Sequence, residues 1–230
     1  MSSRRLPGKV LADVLGQPML ARQIERVQRA KRVDALLVAT SEESSDDPIA
    51  ALCATLGIAC FRGSLSDVLG RFHAAAAAQS PRPAHVVRLT GDCPLADPAL
   101  VDAVIALHLA SGADYTSNAL ERRFPDGLDV EAMRFDALAT AHCEARSAAQ
   151  REHVTPYLYE HPERFALASL RCERDLGALR FTVDEAADLR FVQRVYAALY
   201  SANPAFGWRD VLAWIEAGPA FAGPARGEAP

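Results

Sequence analysis

The apolar positions of this chain change period several times, and each change marks an element. Residues 34–40 carry the run Ala35, Leu36, Leu37, Val38 and Ala39, and residues 85–89 carry Val86, Val87 and Leu89. Neither run alternates, which is the pattern of strands covered on both faces. Leu20, Ile24 and Val27 after Pro18, then Ile49, Leu52, Cys53 and Leu56, then Leu65, Leu69 and Phe72, recur at helical spacing. Asp47 and Asp97 each precede a proline where an N-cap belongs, and Gly57 and Gly112 follow the last apolar position of a helix.

Helix and strand therefore alternate from residue 18 to about residue 111, which predicts an α/β domain with a mostly parallel sheet covered by helices on both faces. Right-handed crossovers bring the loops after the strands to one edge, and a ligand belongs there. In the second half, Leu128, Val130 and Ala132 alternate, residues 135–145 read as a helix, and residues 165–170 alternate again. Leu189, Val192, Val195, Tyr196 and Leu199 form another helical face, and Trp208 and Trp214 belong to a terminal helix. One domain over residues 1–217 with a flexible tail at 218–230 is the expected organisation.

Composition narrows the partners. The 230 residues are 50% hydrophobic and 23% charged, with 25 Lys and Arg against 29 Asp and Glu, a net charge of −4. No overall positive field recruits nucleic acid or a membrane surface, so any phosphate site must be local. The five cysteines contain no C-x-x-C pair, which argues against a zinc knuckle or a disulfide framework and for a reducing cytoplasm. No run approaches the roughly 20 apolar residues of a membrane span.

Three places can carry chemistry. Arg4, Arg5 and Lys9 surround a Pro7-Gly8 turn and offer donor forks, a point charge and backbone N–H groups to phosphate oxygens. Neither a Walker loop nor a G-x-G-x-x-G string is present. Asp92 follows the second strand pattern, where a carboxylate enters the crevice and suits Mg²⁺. Asp184 follows another short β-like run. Read singly, these are equally a solvated tail, a turn aspartate and a helix cap.

Together they carry a resemblance. Arg5-Leu6-Pro7-Gly8-Lys9, Gly16-Gln17-Pro18-Met19, Val38-Ala39-Thr40-Ser41, Leu89-Thr90-Gly91-Asp92-Cys93-Pro94-Leu95, Phe124-Pro125-Asp126-Gly127-Leu128-Asp129-Val130, Arg151-Glu152-His153 and Thr182-Val183-Asp184 occur in order. They resemble the SpsF-type spore-coat polysaccharide cytidylyltransferases, near the acylneuraminate and 3-deoxy-manno-octulosonate cytidylyltransferases. The resemblance implies a Rossmann-like nucleotide-diphosphosugar transferase fold and an enzyme that joins CTP to a sugar, an acidic keto sugar by analogy, with release of pyrophosphate. It implies that Arg5 and Lys9 hold the triphosphate and that Asp92 and Asp184 hold Mg²⁺. It further implies that Thr40, Ser41, Gly63, Asp67 and Gly91 lie against the nucleotide, and that Asp126, Asp129, Arg151, Glu152 and His153 lie against the sugar. Asp184 and a metal-bound water are both open as the base. A homodimer is common in this group, with the apolar elements of the second half as candidate interface. A glycosyltransferase of the same fold is the alternative, though no Asp-x-Asp string occurs. An inactive truncated nucleotide-binding homologue is another.

Family members open with an apolar strand, and here the cationic turn comes first. Losing about four buried aliphatic side chains, each worth roughly 1.5–3 kcal/mol, rivals the stability of a domain, about 5–15 kcal/mol. The expectation is a divided sheet, and a natural protein longer by about ten residues, the length of a strand and its turn. Intact-mass measurement of protein from its source should show the longer chain; an active folded enzyme beginning at Met1 or Ser2 would refute the expectation.

Overall fold

The computed structural model describes residue 3 and residues 5–218; the tail expected at 218–230 falls, beyond Gly218, outside the described residues. In chain order the elements are β1 (Asp13–Val14), β2 (Gln17–Pro18), α1 (Met19–Val27), β3 (Leu37–Ser41), α2 (Asp47–Leu56), β4 (Ala59–Gly63), α3 (Val68–Ala77), β5 (His85–Arg88) and α4 (Pro98–Ser111). There follow β6 (Tyr115–Ser117), β7 (Glu131–Arg134), α5 (Phe135–Glu144), α6 (Ala148–His153), α7 (Pro156–Tyr159), β8 (Leu167–Ser169), α8 (Ala186–Leu199) and α9 (Trp208–Ala217). Short 3-10 turns precede β1 and α2.

The α/β class is as expected, but the strand directions are mixed rather than mostly parallel. β3 pairs parallel with β4, and β6 with β8, whereas β7 runs antiparallel between β5 and β6. The reason is local. No helix crosses over between β6 and β7, so the chain turns back through the loop at 118–130 and enters the sheet reversed.

The sheet is divided. β3 and β4 form one piece and β5-β7-β6-β8 the other, and β3 and β5 each have a strand on one side only among the described residues. The apolar side chains of both, read from sequence as covered on two faces, are half-buried instead. A strand edge without a neighbour leaves its backbone groups and flanking side chains open to water.

Helices cover what the sheets leave. Val101, Val104 and Ile105 of α4 join Val192 and Val195 of α8 and Val211 of α9 in one apolar cluster, with Phe124 edge-on to Trp208. α3, α5 and α7 pack a second cluster around Leu69, Met133 and Leu138, and α1 and α2 a third around Leu20, Ile24 and Cys53. Asp97 caps α4 by accepting from the Leu100 N–H at 3.0 Å. Asp47 is not the cap of α2: the preceding residue, Asp46, occupies that position, and its carboxylate turns away to Thr40 and Ser41.

One glycine places the site. The Asp126 carbonyl accepts from the N–H groups of Phe181 and Thr182, at 2.6 and 3.0 Å, and so holds the strand-like segment that leads to Asp184. Gly127 follows with φ +102°, and a Cβ there would overlap the Thr182 amide nitrogen and come within 2.6 Å of the Phe181 carbonyl carbon. Backbone on both sides cannot yield as a side chain can. Gly127→Ala should cost about 2–4 kcal/mol, a fall in Tm of about 5–10 °C, read by calorimetry; an unchanged Tm would show that this approach is not needed.

Candidate active site

The Lys9 ammonium lies inside three oxygens. It donates to Asp92 Oδ2 at 2.9 Å, Asp184 Oδ1 at 3.0 Å and the Val183 carbonyl at 2.6 Å. The lysine side chain is 10% exposed and the two carboxylates 29% and 21%, so the cage is open on the acidic side. Local backbone builds it. The 3-10 turn after Gly8 aims Lys9 inward, and the Val183 N–H donates to the Asp92 carbonyl at 2.8 Å, stapling the two acidic loops together.

Two arginines close the ring around Asp184. Arg5 pairs with its Oδ2 at 3.0 Å, and Arg180 reaches the same oxygen at 3.1 Å while also meeting Asp188 and Asp126. Partial burial pushes the Asp184 carboxyl up, but hydrogen bonds and charge from Lys9, Arg180 and Arg5 outweigh it and hold the group below its ordinary value. Cys93 sits beside Asp92 with its thiol pushed up by burial and by that carboxylate, so it fills space and is no nucleophile at neutral pH.

Two carboxylates and one carbonyl that already converge on a single cation are hard oxygen donors of the kind Mg²⁺ takes. Among the described residues no group of three or more His, Cys, Asp and Glu side chains converges in this way. The arrangement therefore fits a cation shared with a ligand's own oxygens rather than one enclosed by protein.

The other sequence-derived candidates fall into two groups. The β3–β4 register sets Ser41 opposite Gly63, at the edge where β3 ends. The Thr40 and Ser41 hydroxyls are committed to Asp46, at 2.7 and 2.6 Å. Burial pushes Asp46 up, yet these bonds and backbone N–H groups draw it down overall. Gly91 is exposed in the turn before Asp92. Asp67 caps α3 through the Gly70 N–H at 2.9 Å and is bound by Arg151, whose other nitrogen donates to the His142 carbonyl.

The second group divides at a cavity of about 390 Å³ beside the Thr90–Asp92 turn, walled by Arg88, Thr90, Tyr115, Arg122, Asp129, Glu131, His153, Thr155 and Tyr159 among others. Asp129 and His153 are in this lining, whereas Asp126, Arg151 and Glu152 are not. Arg122 grips Asp129 with both terminal nitrogens, at 3.0 and 2.8 Å, and also reaches Asp126 at 3.0 Å. Burial pushes the Asp129 carboxyl up, with Asp126 and Glu131 adding to it against Arg122.

Sequence reasoning passed over Glu131, the hub of this cavity. Its Oε1 accepts from the Tyr115 hydroxyl at 2.7 Å and the Thr155 hydroxyl at 2.5 Å, and its Oε2 from Arg88. A charged residue inside the alternating run Leu128, Val130, Ala132 was the available signal.

The sequence of residues 1–198 matches the cytidylyltransferase family. The chain belongs to this family. It is 34% identical to the spore coat polysaccharide biosynthesis protein SpsF of Bacillus subtilis over 205 residues, covering 85% of this chain and 82% of that protein. A 3-deoxy-manno-octulosonate cytidylyltransferase of Anaeromyxobacter dehalogenans is 42% identical over 109 residues, 47% of this chain and 43% of that one. A solved cytidylyltransferase from Leptospira borgpetersenii superposes with TM-score 0.88 at 30% identity, over 94% of this chain and 90% of that one. The expected family and Rossmann-like nucleotidyltransferase fold are thereby confirmed, and the protein is an enzyme of the nucleotidyltransferase kind.

The depressed Asp184 carboxyl carries a pH signature. Its contribution to stability is present above the ordinary carboxylate value, about 3.9, and is lost as pH falls through the lower folded value. Denaturation curves should therefore show Asp184→Asn less stable than wild type above that ordinary value, with the gap closing as the pH falls below it. Parallel curves across that window would remove Asp184 from the ion-pair ring.

Proposed function

We propose that this cytidylyltransferase moves the cytidylyl group of CTP to a hydroxyl of an acidic keto sugar, releasing pyrophosphate, in the synthesis of a surface polysaccharide. The observation that carries the reading is the oxygen cage on Lys9, with the exposed Arg5 guanidinium paired to its rim: two cations and an anion pair face one place that suits a triphosphate. The name of the Anaeromyxobacter relative supports cytidylyl transfer to an acidic keto sugar, and that of SpsF supports polysaccharide synthesis. Five unpaired cysteines support a reducing cytoplasm. Among the described residues no helix is long and apolar enough to cross a membrane.

In this reading the acceptor hydroxyl oxygen attacks the α-phosphorus, the bond to the bridging oxygen breaks, and pyrophosphate leaves. Charge grows on the phosphoryl oxygens and the leaving group, so catalysis is positioning plus cations. Lys9 and Arg5 bind the phosphates, while Asp92 and Asp184 would hold Mg²⁺, which when bound would neutralise charge on the triphosphate. Asp184, surrounded by cations, is a poor proton acceptor. Asp129 lines the acceptor cavity with its carboxyl pushed up, and is the better-placed group to take the hydroxyl proton.

A nucleotide screen by thermal shift tests the donor. CTP with Mg²⁺ at a hundred times Kd should stabilise by about 2.7 kcal/mol, and UTP, ATP and GTP by much less. Asp92→Asn should lose the Mg²⁺-dependent part of the shift and about 100-fold or more in pyrophosphate release. Equal shifts for all four nucleotides would overturn the assignment of CTP.

A further inference from the structure

The acceptor cavity holds two arginines, and their commitments differ. Arg122 spends both terminal nitrogens on Asp129 and Asp126. Arg88, at the end of β5 and two residues before Thr90, makes a hydrogen bond through Nη1 alone, to Glu131 Oε2. Its Nε is enclosed and has no partner. Of five N–H donors on a guanidinium, four are left over in a side chain only 14% exposed.

A half-buried cation with unspent donors needs a reason to keep its pose. Glu131 supplies the hold. The β5–β7 register sets Arg88 directly opposite Glu131, and Glu131 is itself fixed from the other side by the hydroxyls of Tyr115 and Thr155. The guanidinium also lies 5.8 Å from the Phe72 ring centroid, which restricts where its plane can turn. One edge of the fork is thus clamped while the residue lines an open cavity next to the turn that carries Asp92.

We propose that Arg88 is the specificity-determining residue for the acceptor: its fork receives the carboxylate of the sugar acid, and Glu131 is the positioning residue that orients it. The inference rests on the nucleotidyl-transfer reading above and assigns the acid group its partner. A carboxylate accepts two parallel N–H bonds from a planar fork, which a lysine cannot reproduce. Anchored there, the acceptor extends along the cavity toward Thr90 and Asp129, with its hydroxyls facing the phosphate side.

The test uses the full chain with CTP and Mg²⁺, a panel of 2-keto-3-deoxy sugar acids, and the C1 methyl ester of each acid as a neutral probe. Wild type should release pyrophosphate with at least one acid and discriminate against its ester. Arg88→Lys and Arg88→Met should raise KM for the acid at least tenfold, leave KM for CTP within twofold, and lose the preference of acid over ester. Glu131→Gln should raise the same KM by a smaller factor. An undiminished thermal shift with CTP shows that each variant folds. Unchanged acid KM in both Arg88 variants, or a wild type that binds CTP yet uses only neutral sugars or no acid of the panel, overturns the role of Arg88. A wild type that binds no CTP and releases no pyrophosphate with any acceptor overturns the transfer reading itself.

Discussion

One ammonium organises this molecule. Lys9 joins parts of the chain 83 and 175 residues away by donating to Asp92, Asp184 and the carbonyl before Asp184. Two carboxylates this close repel each other when ionised, and each pays in lost hydration for its partial burial. A cation between them offsets both effects. Without a bound ion the lysine supplies that charge from within the protein. In the proposed reading a divalent cation would meet the same requirement once the phosphates draw the lysine away.

The remainder of the active-site side is arranged around that cage. Gly127 allows the Pro125–Gly127 turn to lie against the Phe181–Thr182 backbone, which delivers Asp184, and the Val183-to-Asp92 hydrogen bond ties the second acidic loop to the first. On one side, the ends of β3 and β4 bring Ser41 and Gly63 together over a buried Asp46. On the other, the antiparallel entry of β7 places Glu131 against Arg88 in the wall of the cavity. The Ser41–Gly63 edge and the Arg88–Glu131 cavity thus lie on different strand pairs.

Much of this was legible from local pattern. The apolar runs located β3 and β5, helical spacing located α1, α2, α3 and α8, and Asp97 and Gly112 do cap α4. These features depend on residues within a turn or two of each other, so a one-dimensional reading captures them. The four charged residues of the cage were also named, through motif strings, and the structure brings all four together. What escaped is instructive. Asp47 was read as the cap of α2, yet Asp46 holds that position with its carboxylate facing two hydroxyls of β3. Arg88 and Glu131 are 43 residues apart and meet only because β7 runs against β5.

The chain's order of residues, taken alone, determined the α/β class, the cationic turn, the two acidic loops and the membership of the family, since periodicity, capping chemistry and motif strings are properties of neighbours along the chain. Tertiary structure alone decided the direction of β7, the division of the sheet, the commitment of Thr40 and Ser41 to Asp46, and the pairing of Arg88 with Glu131 in the cavity wall. Those outcomes turn on strand register and on which donors are already spent. Both are set by the packing of distant segments, where each hydrogen bond made in one place removes a donor from another.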